Sequence, residues 1–123
     1  DTRELVFCNA GHNPIIIISP DGKAQYIKAK ANLAAGVFDM YPYEKESIVV
    51  EKGSRLLIYT DGVTEAEDAA KNQYGEDRLI QFATSMSPDC SSEEFVEKLT
   101  ESVKAFTNGN EQNDDITIMS VKV

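Results

Sequence analysis

An α+β fold is predicted for this chain by the order in which two hydrophobic patterns occur. Short apolar runs separated by turn signals occupy residues 5–60, which is typical of strands. Apolar residues then recur at helical spacing over residues 79–106, and one more strand-like segment follows at 116–123. Because strands and helices are grouped rather than alternating, the pattern favours an α+β arrangement over βαβ units.

The first half of the chain contains five predicted strands, at residues 5–8, 15–18, 24–27, 47–50 and 55–60. Pro20, Asp21 and Gly22 stand where a tight turn requires them, so the second and third strands are predicted to form a hairpin. Residues 29–44 are predicted to be a loop, because a glycine and a proline interrupt them. Cys8 ends the first apolar run and is expected to be a buried thiol.

The second half contains two predicted helices. The first ends at Ser87-Pro88, and the second begins with a capping box formed by Ser91 and Glu94 and stops at Gly109. Their apolar stripes are expected to pack against the sheet as core. The stripe residues are Leu79, Ile80, Ala83 and Met86 in the first helix and Phe95, Val96, Leu99, Val103 and Phe106 in the second.

Composition and charge exclude several function classes. The chain has 123 residues, of which 41% are hydrophobic and 27% charged, as in an ordinary globular domain. Its formal net charge of −9 disfavours nonspecific nucleic-acid binding, which needs Lys and Arg against phosphates. The longest aliphatic run, 15–18, is far shorter than the roughly 20 residues of a membrane span. With two cysteines and no signal peptide visible, we expect a cytoplasmic protein without membrane contact.

Three carboxylates form a candidate site. Asp61 follows the strand 55–60, and Asp114 and Asp115 precede the final strand. If these strands pair antiparallel, the end of one lies beside the start of the other, and the carboxylates meet at one sheet edge. Such a cluster needs a compensating cation, and carboxylate oxygens suit Mg²⁺ or Mn²⁺. From the residues alone, the more frequent alternative is a turn or helix cap at Asp61 and a solvated loop at Asp114 and Asp115.

His12, the single histidine, lies in a loop between Gly11 and Asn13-Pro14. One histidine cannot build a zinc site of the usual kind. No serine stands in a nucleophile-elbow motif either, so a Ser-His-Asp mechanism is disfavoured.

Five motifs in a fixed order add a family resemblance. They are "NAGHNP" at 9–14, "PDGK" at 20–23, "KGSRLLIYTDGVTEAED" at 52–68, "YGEDRL" at 74–79 and "NDDITIMSVKV" at 113–123. Together they resemble the C-terminal half of the bacterial metal-dependent protein phosphatases of the SpoIIE type, in the PPM superfamily. The resemblance runs from about Phe7 to Val123. Either "YTDG" or "DDIT" alone would be a weak signal, but the pair is specific.

The resemblance implies a fold and an activity. The family fold is an α-β-β-α sandwich with two central antiparallel sheets flanked by helices. Its members remove phosphate from phosphoserine or phosphothreonine on proteins. In bacteria the substrates are commonly anti-sigma-factor antagonists and similar small phosphoproteins that control sigma factors in stress signalling. Two Mn²⁺ or Mg²⁺ ions activate a water that attacks phosphorus in line.

The resemblance also implies roles for individual residues. Asp61, in "TDG", and Asp114, the first acid of "DDIT", occupy metal-ligand positions. Asp115 stands where some relatives carry Asn, and is expected to be a supporting or optional ligand. Gly62 lets the backbone turn close to the metal site. Gly11 and His12 belong to a signature loop, for which we expect structural support.

One family motif is absent: the Asp-Gly-rich metal motif of the first half of the domain has no counterpart here. We therefore expect residues 1–123 to be the C-terminal portion of a single phosphatase domain whose N-terminal portion is missing. By itself this portion is expected to bind metal weakly, to be inactive or nearly so, and to self-associate through open sheet edges. Two alternatives stay open: a catalytically inactive domain that acts as a protein-binding or regulatory module, and a plain α+β domain with surface acids.

Overall fold

A computed structural model describes residues 2–123 of the chain. Strands come first, helices follow and a strand ends the order, so the predicted α+β arrangement is confirmed. The elements are β1 (Glu4–Phe7), β2 (Ile16–Ile18), β3 (Ala24–Tyr26), β4 (Glu46–Val49), β5 (Arg55–Tyr59), α1 (Asp61–Thr64), α2 (Gly75–Ser85), α3 (Ser92–Thr107) and β6 (Ile118–Lys122). The predicted loop at 29–44 contains neither helix nor strand.

The strands form two antiparallel sheets. The larger sheet has four strands in the order β3-β2-β5-β6, and the smaller one pairs β1 with β4. The predicted hairpin is present: β2 pairs with β3, and the Gly22 amide donates to the Ser19 carbonyl at 2.8 Å. The pairing of β5 with β6 is also antiparallel, with Tyr59 opposite Ile118, as the candidate site requires.

The helices cover one face of the larger sheet and enclose the core. Ile16 and Leu57 on the sheet and Leu79 and Leu99 on the helices are all fully buried. Eight of the nine residues of the predicted apolar stripes belong to this core or pack against it, as predicted, and Val96 is half-buried outside it. Burying side chains of this size stabilises the fold by about 1.5–3 kcal/mol each.

The ends of α3 follow the predicted signals. Ser91 caps the N-terminus, since its hydroxyl accepts a 3.0 Å hydrogen bond from the Glu94 amide. At the other end, Asn108 adopts the left-handed conformation with φ 48°, and its amide donates to the Lys104 carbonyl. The helix therefore ends at Thr107, next to the predicted stop at Gly109.

A buried arginine joins β5 to the start of α3. The Arg55 side chain is only 3% exposed, and its guanidinium lies 4.9 Å above the centre of the Phe95 ring. The guanidinium donates to the Ser120 hydroxyl at 2.7 Å, to the Ser92 hydroxyl at 3.2 Å and to the Cys90 carbonyl. Hydroxyl and carbonyl oxygens and an aromatic face thus replace the water that a guanidinium loses on burial.

One local feature differs from the expectations. Cys8 is exposed, so the prediction of a buried thiol was wrong; β1 ends at Phe7 and its small sheet does not enclose the next residue. At Asp61 the sequence allowed a turn or a helix cap, and the structure has the start of a helix there, because Asp61–Thr64 form the short helix α1. No helix in residues 2–123 has the length and apolar character needed to cross a membrane.

Candidate metal centre

Asp61 lies where β5 ends and α1 begins. Thr60 is extended, with φ −96° and ψ 165°, and the chain turns into the helix at the next residue. The Glu65 amide donates to the Asp61 carbonyl at 2.8 Å, which closes the helical turn. The Asp61 side chain is exposed, in the first turn of α1. It lies at the end of the larger sheet where β5 stops and β6 starts, and this end is called the sheet edge below.

Gly62 brings this turn against the segment that precedes β6. A Cβ atom placed on Gly62 would lie 2.3 Å from the Asp115 carbonyl oxygen and 3.1 Å from that of Asp114. Such distances are below van der Waals contact, so only glycine permits this approach of backbone to backbone. The structure therefore brings the chain at Asp61-Gly62 together with the chain at Asp114-Asp115, as the predicted strand pairing requires.

Thr60 holds the same two segments together through hydrogen bonds. Its hydroxyl donates to the Asp115 carbonyl at 2.9 Å and accepts from the Thr117 amide at 3.0 Å. Its own amide donates to the Thr117 carbonyl at 3.1 Å. The sequence interpretation gave Thr60 no role. Its position directly opposite the start of the final strand was the signal that could have identified it.

Further hydrogen bonds shape the loop before β6. The Asp115 amide donates to the Asp114 carboxylate at 2.7 Å, and the Gln112 side chain donates to the Asp114 carbonyl at the same distance. Both aspartates are exposed. Within residues 2–123 the carboxylates of Asp61 and Asp115 accept no hydrogen bond and form no ion pair, which leaves their oxygens available to a cation.

The donors at this edge fit a hard divalent cation but form an incomplete set. Carboxylate and carbonyl oxygens are the ligands that Mg²⁺ and Mn²⁺ prefer. In the part of the chain that the structure describes, no three histidine, cysteine, aspartate or glutamate side chains come close enough together to hold a metal ion. The metal-ligand roles of Asp61, Asp114 and Asp115 therefore stay a prediction.

The loop with Gly11 and His12 reaches the same sheet edge. It precedes β2, which runs antiparallel to β5 with Ile16 opposite Leu57, so the start of β2 lies next to the end of β5. The Asn9 side chain accepts from the His12 amide and donates to the His12 carbonyl, both at 2.8 Å. The exposed His12 ring has Nδ1 3.1 Å from the Asn13 carbonyl oxygen.

Gly11 has its own steric reason to be glycine. Its φ is +80°, and an added Cβ would lie 2.8 Å from the Cα of Ala34. The Ala35 amide also donates to the Ala10 carbonyl at 3.2 Å. The signature loop is thus packed against the loop 29–44, which agrees with a structural role for Gly11.

A buried phenol lies directly beneath the edge. Tyr59, the last residue of β5, is 2% exposed, and its burial raises the pKa of its hydroxyl, with the neighbouring Tyr26 as the next cause. Burial also raises the pKa of Tyr26. Both phenols are therefore neutral near pH 7 and add no negative charge at this edge.

Comparisons with known proteins agree with the fold and the motifs. Protein IcfG of Synechocystis is 29% identical over 117 residues, which are 95% of this chain and 18% of that protein. The phosphoserine phosphatase RsbU of Bacillus subtilis is 24% identical over 122 residues, which are 99% of this chain and 36% of RsbU. The chain thus spans well under half the length of either relative.

Solved structures show the same fold. The SiaA-PP2C domain of Pseudomonas aeruginosa matches 99% of this chain with a TM-score of 0.83 and 22% identity, and the match covers 47% of that structure. The manganese-presoaked phosphatase domain of SpoIIE from Bacillus subtilis matches 98% with a TM-score of 0.70 and 19% identity, over 50% of its length. The family described as Stage II sporulation protein E (SpoIIE) matches residues 1–123. The chain therefore belongs to the family described as Stage II sporulation protein E (SpoIIE), as its motifs predicted.

Proposed function

We propose that this chain is the C-terminal portion of a metal-dependent protein serine/threonine phosphatase domain. The complete domain hydrolyses phosphoserine or phosphothreonine on a regulatory protein and holds two Mn²⁺ or Mg²⁺ ions. One observation carries the proposal: the antiparallel pairing of β5 with β6, with the close approach at Gly62, brings Asp61 and Asp114 to one sheet edge.

The share of each relative that is matched supports the proposal that this chain is one of two portions of the domain. The SiaA and SpoIIE structures match nearly all of this chain, which corresponds to about half of each of them. We infer that the N-terminal portion of the domain supplies the remaining ligands, since residues 2–123 hold no group of three. Residues 1–123 alone are accordingly proposed to have little or no activity.

Each residue at the edge has a part in this proposal. When bound, the ions polarise a phosphoryl oxygen and lower the pKa of a water molecule. Asp61 and Asp114 supply the carboxylates that hold the ions, and Asp115 supports them. Thr60 and Gly62 fix the spacing between the two segments, because the Thr60 hydroxyl donates to the Asp115 carbonyl and the Gly62 backbone lies against the same carbonyl. Neither contact uses a carboxylate oxygen.

The substrate class rests on the relatives. RsbU of Bacillus subtilis is a phosphoserine phosphatase, and SpoIIE of the same organism contains a phosphatase domain. We propose a phosphorylated anti-sigma-factor antagonist as the substrate, in sigma-factor or stress signalling in the cytoplasm. The net charge of −9 agrees with a protein partner rather than a nucleic acid.

Asp61→Asn in the full-length protein tests the ligand assignment. The substitution keeps the size of the side chain and removes its charge, so we expect weaker Mn²⁺ binding and a loss of activity of ~100-fold or more. Calorimetric Mn²⁺ titration and hydrolysis of p-nitrophenyl phosphate measure the two effects. Asp89→Asn is the matched control, since Asp89 is also an exposed aspartate but lies far from the site. The neighbouring Cys90 carbonyl contacts Arg55, which is at the opposite end of β5 from Asp61.

Unchanged metal binding and activity in Asp61→Asn would refute the ligand role. A wild-type protein that folds but binds no Mn²⁺ would instead support the alternative, a catalytically inactive domain that serves as a binding module.

A further inference from the structure

One side chain away from the carboxylates joins the two segments of the candidate metal centre at a second point. The Asn110 carboxamide donates to the Glu67 carbonyl at 3.0 Å and to the Asp68 carbonyl at 3.2 Å. Glu67 and Asp68 follow α1, which begins at Asp61, and the half-buried Asn110 precedes the stretch that carries Asp114. The chain that follows one predicted ligand is therefore bonded to the chain that precedes the other.

The loop that accepts these hydrogen bonds, residues 66–74, is held in place by contacts of its own. The Asp68 carboxylate accepts three hydrogen bonds of 2.9 to 3.0 Å from residues later in the loop, two of them from Asn72. At the end of the loop, the hydroxyl of the buried Tyr74 is hydrogen-bonded to the Ser102 hydroxyl of α3 at 2.8 Å. The carbonyl groups that Asn110 contacts thus belong to a fixed part of the fold.

The segment from Asn110 to Asp115 is held at both of its ends. At the first end, the Asn110 amide also donates to the carbonyl of the last residue of α3 at 3.0 Å. At the second end, the Asp115 carbonyl accepts from the Thr60 hydroxyl. Asp114 lies between these points, and its carboxylate accepts from the Asp115 amide at 2.7 Å, so the carboxylate follows its main chain. Without the side-chain contact at Asn110, the segment can pivot about its second end and carry Asp114 with it.

We propose that Asn110 is a positioning residue of the metal centre, which holds the Asp114 segment against the 66–74 loop and so sets the distance between the ligand carboxylates. This inference rests on the proposed function and adds a residue that is not among the ligands. The contacts join residues of this chain to one another, so they do not depend on which surfaces the rest of the domain covers. Residues that orient metal ligands commonly change the metal affinity by about 10- to 100-fold.

Asn110→Asp in the full-length protein separates the effect of position from that of charge. The new side chain has the same size, but its carboxylate faces two carbonyl oxygens and cannot donate to them. Loss of positioning should lower the Mn²⁺ affinity ~10-fold. The added negative charge alone would instead raise the affinity for a cation. Isothermal titration calorimetry with Mn²⁺ gives the sign of the change and needs no catalysis.

A second measurement uses the metal-free protein. Amide hydrogen exchange of a peptide that covers residues 108–115 should be faster in Asn110→Asp than in wild type, because one end of the segment is released. A peptide from β5 should exchange at the wild-type rate, which would show that the change is local.

Asn110→Ala is the second variant, because it removes both hydrogen bonds without adding a charge. It should also bind Mn²⁺ ~10-fold more weakly than wild type, and it decides the question if Asn110→Asp does not fold.

Asn108→Asp is the matched control, because it adds the same charge two residues earlier. Asn108 is exposed, and its side chain makes no hydrogen bond within residues 2–123. Salt screens an exposed charge, so the Mn²⁺ affinity should stay within ~2-fold of wild type.

Wild-type Mn²⁺ affinity in the folded Asn110 variants, with a lower melting temperature, would show that Asn110 serves stability alone and would overturn the proposal. Tighter Mn²⁺ binding by Asn110→Asp would overturn it as well, as would an equal loss of affinity in Asn108→Asp. A wild-type protein that folds but binds no Mn²⁺ would refute the proposed function itself, an outcome that the comparison of variants cannot produce.

Discussion

At the scale of single residues, Gly62 has a greater effect on the candidate metal centre than its lack of a side chain suggests. Its backbone lies against the carbonyl groups of Asp114 and Asp115, so the two carboxylate-bearing segments are spaced by a contact between main chains. Carbonyl oxygens cannot rotate away as side chains do. Any substitution at Gly62 must therefore move one segment away from the other.

Gly62→Ala is predicted to lower the free energy of unfolding by about 1–3 kcal/mol, the usual range for overpacking. It should also weaken Mn²⁺ binding by the full-length protein, because the carboxylates separate. Urea unfolding and Mn²⁺ titration measure the two effects.

Gly36→Ala is the control for Gly62→Ala. Gly36 has φ +85° but open space around its Cβ position, so only backbone strain applies, of about 1 kcal/mol. Equal stability losses and unchanged Mn²⁺ binding in both variants would contradict the steric explanation.

At the scale of secondary-structure elements, β5 has an important side chain at or next to each of its ends. Asp61 follows its last residue, and Arg55, its first, joins it to the start of α3 and to Ser120 of β6. The guanidinium has no carboxylate partner among residues 2–123, and its positive charge is stabilised by neutral oxygens and the Phe95 ring. Removing it leaves the Cys90 carbonyl buried without a donor.

Arg55→Met is predicted to destabilise the protein by about 2–4 kcal/mol, because it breaks a buried hydrogen-bond network and removes the contacts between the start of α3 and the sheet. Arg78→Met provides the comparison. Arg78 also lies over a phenylalanine ring, 4.6 Å from the centre of Phe106, but it is exposed, and its loss should cost less than about 1 kcal/mol. Urea unfolding of both variants checks the prediction; a similar cost at both sites would refute the effect of burial.

At the scale of the whole molecule, β6 is an outermost strand of the larger sheet. Among residues 2–123, β6 has a strand partner only on its β5 side, and its residues Met119 and Val121 are 54% and 41% exposed. A strand with unpaired backbone groups and apolar side chains is a template for pairing with another chain.

Residues 1–123 expressed alone are accordingly predicted to self-associate with rising concentration, as sedimentation velocity would measure. Val121→Lys should shift the equilibrium toward monomer, since a charged side chain on an edge strand opposes pairing. A wild-type chain that remains monomeric at every concentration would contradict the expectation.

Much of this architecture could be predicted from sequence because it depends on local signals. The strand boundaries lie within two residues of the hydrophobic runs, and the Ser91 cap is formed by the residues that the capping box names. The candidate site was found because its acids adjoin two predicted strands. The role of Arg55 was not predictable, since it depends on contacts with residues far along the chain, such as Cys90 and Ser120.

The position of β5 in the middle of the sheet has a practical consequence for amide hydrogen exchange. Its amides lie between β2 and β6, so they should exchange only when the whole domain unfolds. Amides in the segment 33–43, outside any sheet, should exchange through small local openings. A peptide from β5 can therefore serve as an internal reference in every variant: a substitution in the loop that speeds exchange there but not in β5 has altered the loop alone.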